Sequence, residues 1–136
     1  MDVVALIGRL VFVAMFLNSG VKHIRQREGM AAYARSVGAP APELMVPLTG
    51  VMIFVGGALI AVGVWPDLGA LLLAAFLFPV AYYMHPFWKV EDPQVRTQQE
   101  THFWKNVSLG GVSILLFALF VEFGDRLGLM AGGSLF

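Results

Sequence analysis

Cysteine is absent from the chain, which excludes a disulfide, a thiolate metal site, a covalently attached c-type haem and a thiol nucleophile. Charge is scarce as well. Asp, Glu, Lys and Arg make up 13% of the 136 residues, against about 25% in an ordinary soluble domain. Formal net charge is zero, and no basic run of the kind that tracks a nucleic-acid backbone is present. Histidine occurs three times, so redox or metal chemistry must rest on these few imidazoles, on carboxylates or on a partner. Hydrocarbon takes up what is left: 58% of residues are hydrophobic and mean hydropathy is +0.76. The composition is that of an integral membrane protein, and the length allows one domain over residues 1–136.

Four stretches are long and apolar enough to cross a hydrocarbon core, which takes about 20 helical residues: residues 3–21, 44–64, 68–84 and 107–123. Their hydrophobicity is continuous rather than alternating, and backbone in lipid must satisfy its own hydrogen bonds, so the spans are read as helices. "WPDLG" at 65–69 is too short for anything but a tight helix–helix connection. The expected fold is all-α, an up-down-up-down four-helix membrane bundle. The first span is expected to stay as structure, since "MDVV" supplies no basic n-region and "NSGVKHIRQRE" no small-residue cleavage site.

The loops after the first and third spans carry Lys22, Arg25, Arg27, Arg35, Lys89, Arg96 and Lys105, whereas the other side offers Arg126 alone. Basic loops stay cytoplasmic, so both termini are expected outside a bacterial cytoplasmic membrane. Within the first long loop, residues 28–37 form a candidate interfacial helix stopped by Gly38 and Pro40. Pro79 predicts a kink in the third span, and Pro86 predicts that the helix ends before His85. Gly56, Gly57, Ala61, Gly110 and Gly111 are read as packing positions that let helices approach closely.

Arg9 lies about 10 Å inside the first span, where an arginine costs roughly 2.5–3.5 kcal/mol even on a lenient insertion scale. It needs an interior partner or a route to the interface. Glu122, at a comparable depth in the fourth span, is the expected partner for a buried ion pair; snorkelling to the outer surface is the alternative.

The loop "HPFWKVEDPQVRTQQETHFWKN" at 85–106 holds two of the three histidines and two of the three tryptophans. Topology would bring His23, His85 and His102 to one membrane interface with Trp88, Trp104, Tyr82, Tyr83, Lys105 and Asn106. An aromatic belt accounts for the tryptophans and tyrosines but less well for the histidines and Asn106, whose side chain also suits a helix N-cap. Three functional readings compete. A quinone headgroup would dock with His85 or His102 at a carbonyl and Trp88 or Trp104 on the ring; histidines would ligate a metal or b-type haem, which is disfavoured because they sit at span ends; or the face docks another protein.

Taken together, "LIGRLVFVAMFLNSGVKHI", "GAPAPELMVPLTGVMIFVGGALIAVGVW", "HPFW" and "FWKNVSLGGVSILL" resemble the DoxX family of small four-helix bacterial membrane proteins. The resemblance implies association with respiratory and redox complexes, among them a thiosulfate:quinone oxidoreductase and an assembly with superoxide dismutase and a thiosulfate sulfurtransferase. It also implies a Gly-x-x-Glu-x-x-Gly-Gly pattern in the second span, where this chain has Ile53 in place of the acid. Arg9 must therefore be satisfied in some other way.

The functional expectation is an accessory membrane subunit of a respiratory, quinone-linked oxidoreductase. It would contribute bundle contacts and a wall of a quinone or lipid pocket, with the redox centres in partner subunits. No intrinsic cofactor, metal or stand-alone catalysis is expected, because no nucleophile–base–orienter set is apparent. The alternative is a transporter or lipid-handling bundle acting as a homo-oligomer.

Overall fold

Asp2 begins a helix that runs to Arg25 in the computed structural model, which describes residues 1–136. This α1 (Asp2–Arg25) is followed by α2 (Arg27–Ser36), α3 (Pro42–Val62), α4 (Pro66–Met84) and α5 (Pro93–Phe123), with 3-10 turns at Phe87–Lys89 and Gly124–Arg126. All but α2 have the length and hydropathy of membrane spans. The protein is an all-α, multi-pass membrane bundle.

The boundaries follow from local chemistry. Proline opens α3, α4 and α5, where its missing N–H would have no helical partner anyway. His85 is non-helical, as Pro86 requires. The loop helix appears as α2, and Gly38 ends it in the left-handed region at φ +80°. α4 continues through Pro79, whose missing N–H leaves the Ala75 carbonyl without its usual partner. The other span boundaries shift by no more than four residues, and the largest difference from expectation is at α5. α5 starts at Pro93, well before residue 107, because Asp92 Oδ1 accepts the Val95 N–H at 2.9 Å as an N-cap. Asn106 is thus a mid-helix residue and caps nothing.

Each spanning helix buries a narrow stripe: Arg9, Val13, Phe16 and Gly20 on α1, and Asn106, Gly110, Ser113 and Phe120 on α5. Spacings of three, four and seven residues place each set on one helical face. Large apolar residues off these stripes, such as Val11, Leu48 and Ile114, are exposed and face lipid. The core joins Val13 and Phe16 to Ile53 and Ile60 of α3, to Leu73 and Leu77 of α4 and to Phe120. α1 packs on α3, α3 on α4 and α4 on α5, whereas no comparable seam joins α1 to α5.

Small residues set the closeness of these seams. Gly56 on α3 and Gly69 on α4 face one another's backbone: a Cβ at Gly56 would lie 2.9 Å from the Gly69 oxygen, and one at Gly69 would lie 2.6 Å from the Gly56 oxygen. Gly57 meets Leu17, Gly110 meets the Phe78 ring, and Ala61 packs against the core. Gly111 has no neighbour within 4 Å and is not a packing glycine.

At the end opposite the basic loops, residues 127–136 fold back across the α3–α4 turn. Ala131 and Gly132 donate to the Val62 and Gly63 carbonyls at 3.1 and 3.0 Å, and Trp65 donates to the Gly133 carbonyl at 3.0 Å. Asp67, fully buried, accepts from the backbone N–H groups of Leu135 and Phe136, each at 2.8 Å to Oδ2.

This tail also corrects the expected ion pair. Arg9 is 94% buried and donates through Nη2 to the Leu129 carbonyl at 2.7 Å and through Nη1 to the Met130 sulfur. Glu122 is exposed. It lies two residues beyond buried Phe120, a rotation of about 200° that carries it to the opposite face of α5. Glu122→Gln is therefore expected to leave the thermal midpoint in detergent unchanged, within the roughly 0.5 kcal/mol typical of surface substitutions. A clear drop in a melting curve would restore the ion pair.

Candidate functional site

A cavity of about 860 Å³ lies at the basic end of the bundle, beneath α2. It is lined by 27 residues, 16 of them hydrophobic, within the roughly 300–1,000 Å³ range of small-molecule sites. The short α2 roofs it because its sequence is two-faced: Arg27, Glu28 and Arg35 are exposed, while Ala31 and Ala34 are buried against Val46 of α3. An exposed Arg35–Glu43 ion pair joins the end of α2 to the start of α3, a contact worth about 0–1 kcal/mol.

Five of the seven methionines, Met15, Met30, Met45, Met52 and Met84, line the cavity. Unbranched and polarizable, they form walls that adapt to an irregular apolar guest. Ala75 and Pro79 also line it. The polar lining includes His23, His85, Tyr33, Gln26, Lys105 and Asn106. Lys105 is the sole charged residue in the lining, and no carboxylate occurs there.

Two histidines are held by specific contacts. His23 Nδ1 is 2.8 Å from the Ser19 carbonyl, and its ring meets Phe76 edge-on with centroids 5.9 Å apart. His85 Nδ1 is 2.8 Å from Gln99 Oε1; Gln99 Nε2 donates to the Tyr33 hydroxyl at 3.4 Å, which donates to the Met84 carbonyl at 3.2 Å. This chain of contacts ties α2, the end of α4 and the first turns of α5 together around the cavity mouth.

The cluster expected from sequence separates into two groups. His23, His85 and Asn106 line the cavity. Trp88 and Trp104 do not: both are exposed, in an aromatic patch where Trp88 lies 5.5 Å from Tyr82 and 5.7 Å from Phe103, with Trp104 5.2 Å from Phe103. His102 is exposed and stacks on His85 with centroids 5.2 Å apart, forming the outer layer of the site. No group of three or more His, Asp or Glu side chains gathers as a metal site would require. Tyr33, Gln99 and the methionines escaped the sequence reading. Met45 and Met52, seven residues apart, share a helical face, and that spacing was the available signal.

The chain matches the DoxX family over residues 4–86, more than half its length. It belongs to the DoxX family. Among curated proteins, this DoxX chain is similar to the inner membrane protein YphA of Escherichia coli (strain K12), at 31% identity over 114 residues that cover 84% of this chain and 81% of the relative. No solved structure matches it. The family match spans α1 to α4, so the whole cavity lining except Lys105 and Asn106 falls within it. At the position of the missing family acid, Ile53 of this DoxX protein is fully buried in the apolar core. Arg9 is answered by the Leu129 carbonyl and the Met130 sulfur instead.

Proposed function

We propose that this DoxX protein is an accessory subunit of a quinone-linked oxidoreductase in the bacterial inner membrane, and that the cavity beneath α2 receives the quinone headgroup. The cavity is the observation that carries the reading. Its volume suits a substituted ring with part of a chain, its methionine-rich walls suit an apolar guest, and its lining includes a small set of polar groups. The similarity to an inner membrane protein supports the location, and the basic loops favour a cytoplasmic position for the cavity end. In this reading the redox centres of the assembly are assigned to partner subunits, and this chain supplies the wall of the headgroup site. The exposed Trp88–Phe103–Trp104 patch is suited to the headgroup layer or to a partner's surface.

The test is photolabelling in native membranes with a photoreactive quinone analogue. Labelled peptides are expected to map to Met30, Met45 or Met84, and labelling should fall when excess unmodified quinone is added. Labelling confined to the lipid-facing surface, or insensitive to competitor, would overturn the quinone reading. A stoichiometric phospholipid recovered from the cavity would replace it with lipid handling.

A further inference from the structure

The hydrogen bonds of the two cavity histidines fix which ring nitrogen carries the proton. A backbone carbonyl accepts and never donates, so His23 Nδ1, 2.8 Å from the Ser19 oxygen, is a protonated donor. For His85 the network decides. The Tyr33 hydroxyl has one proton, and it goes to the Met84 carbonyl. Gln99 must therefore present its NH₂ to Tyr33 and its oxygen to His85, which makes His85 Nδ1 a donor too. The opposite amide orientation would ask Tyr33 to donate twice. In each neutral ring, Nε2 is then left as a bare acceptor. The cavity lining also contains no carboxylate that would supply a competing acceptor.

We infer that the cavity distinguishes the two redox forms of its ligand and favours the reduced, hydroxyl-bearing quinol over the oxidised quinone. A quinol hydroxyl donates to a histidine Nε2, whereas a quinone carries only carbonyl acceptors and leaves that lone pair unmet. Lys105 and Asn106 also line the cavity; as donors they serve an oxygen of either form and do not discriminate. Both histidines are half-buried, so a bound ring that covers the Nε2 atom without donating to it strips water from an acceptor and returns nothing, which is the basis of the discrimination. Gln99 acts as a positioning residue. It touches no ligand, but it sets the tautomer of His85.

This inference rests on the quinone reading, and the experiment separates the two. Binding of decylhydroquinone, decylbenzoquinone and the dimethyl ether of the hydroquinone to the detergent-purified full chain would be measured anaerobically. The quinol is expected to bind roughly tenfold more tightly than either donor-free compound, the worth of one well-placed hydrogen bond. His23→Phe combined with His85→Phe should erase most of that ratio, and Gln99→Leu, which keeps the His85 ring but frees its tautomer, should reduce it. Equal affinities in the unmodified protein, or a preference that survives both substitutions, would overturn the inference while quinone binding stands. Failure of all three compounds to bind would overturn both.

Discussion

Asp67→Ala is expected to lower the stability of the detergent-solubilised protein by about 1.5–3 kcal/mol, the worth of hydrogen bonds to a charged group. The carboxylate is fully buried at the start of α4 and accepts the backbone N–H groups of Leu135 and Phe136. Without it, the Leu135 and Phe136 N–H groups lose their acceptor and residues 127–136 lose an anchor. Asp67→Asn should fall between, since an amide offers one acceptor oxygen and turns an NH₂ toward the donors. Thermal melts give the stability, and limited proteolysis reads the release of the tail. An unchanged midpoint with a tail still protected from protease would show that the other backbone contacts of residues 131–133 hold the segment unaided.

Gly69→Val should be similarly severe for a different reason. A Cβ there meets the Gly56 carbonyl oxygen at 2.6 Å, and Leu59 and Ile60 stand within 3.1 Å. The nearest obstacle is backbone, which cannot rotate away, so α3 and α4 must separate. Overpacking of this kind costs about 1–3 kcal/mol or more, and the seam is central to the bundle. Gly111→Ala supplies the contrast within the same protein: its Cβ meets nothing within 4 Å, and alanine in a helix interior is favoured over glycine by up to about 1 kcal/mol. Opposite signs in the two melting curves are expected. If both substitutions destabilise alike, close approach at Gly56 and Gly69 is not what sets the seam.

The spans, the loop helix α2 and a tight α3–α4 connection were legible because each has a local cause: continuous apolar runs, an amphipathic pattern ended by Gly38, and a gap between spans too short for anything else. The connection itself lies at residues 63–65 rather than 65–69, because Pro66 opens α4. The beginning of α5 was missed because hydropathy falls before the helix does. Asp92 and Pro93 signal the true start, but they lie in a polar stretch outside the membrane. His23, His85 and Asn106 were brought together correctly, since span ends on one side must converge. Trp88 and Trp104 could not be assigned to the cavity or the outer surface, because that depends on how α4 and α5 are rotated about their axes. The partner of Arg9 was illegible for another reason. Counting depth along α5 located Glu122 at a suitable level but said little about its face, and the actual acceptors are a backbone carbonyl and a thioether in an irregular segment.

That pairing has a consequence for biosynthesis. Arg9 enters the membrane with the first span to be made, whereas its acceptors at Leu129 and Met130 are separated from it by 120 and 121 residues and emerge only after the last span. Throughout synthesis of the other helices the guanidinium has neither contact. Until then its long side chain can reach the nearer headgroup layer, and it becomes enclosed only when residues 127–136 close over the α3–α4 turn. The contact that encloses Arg9 can thus form only after the last span has been made.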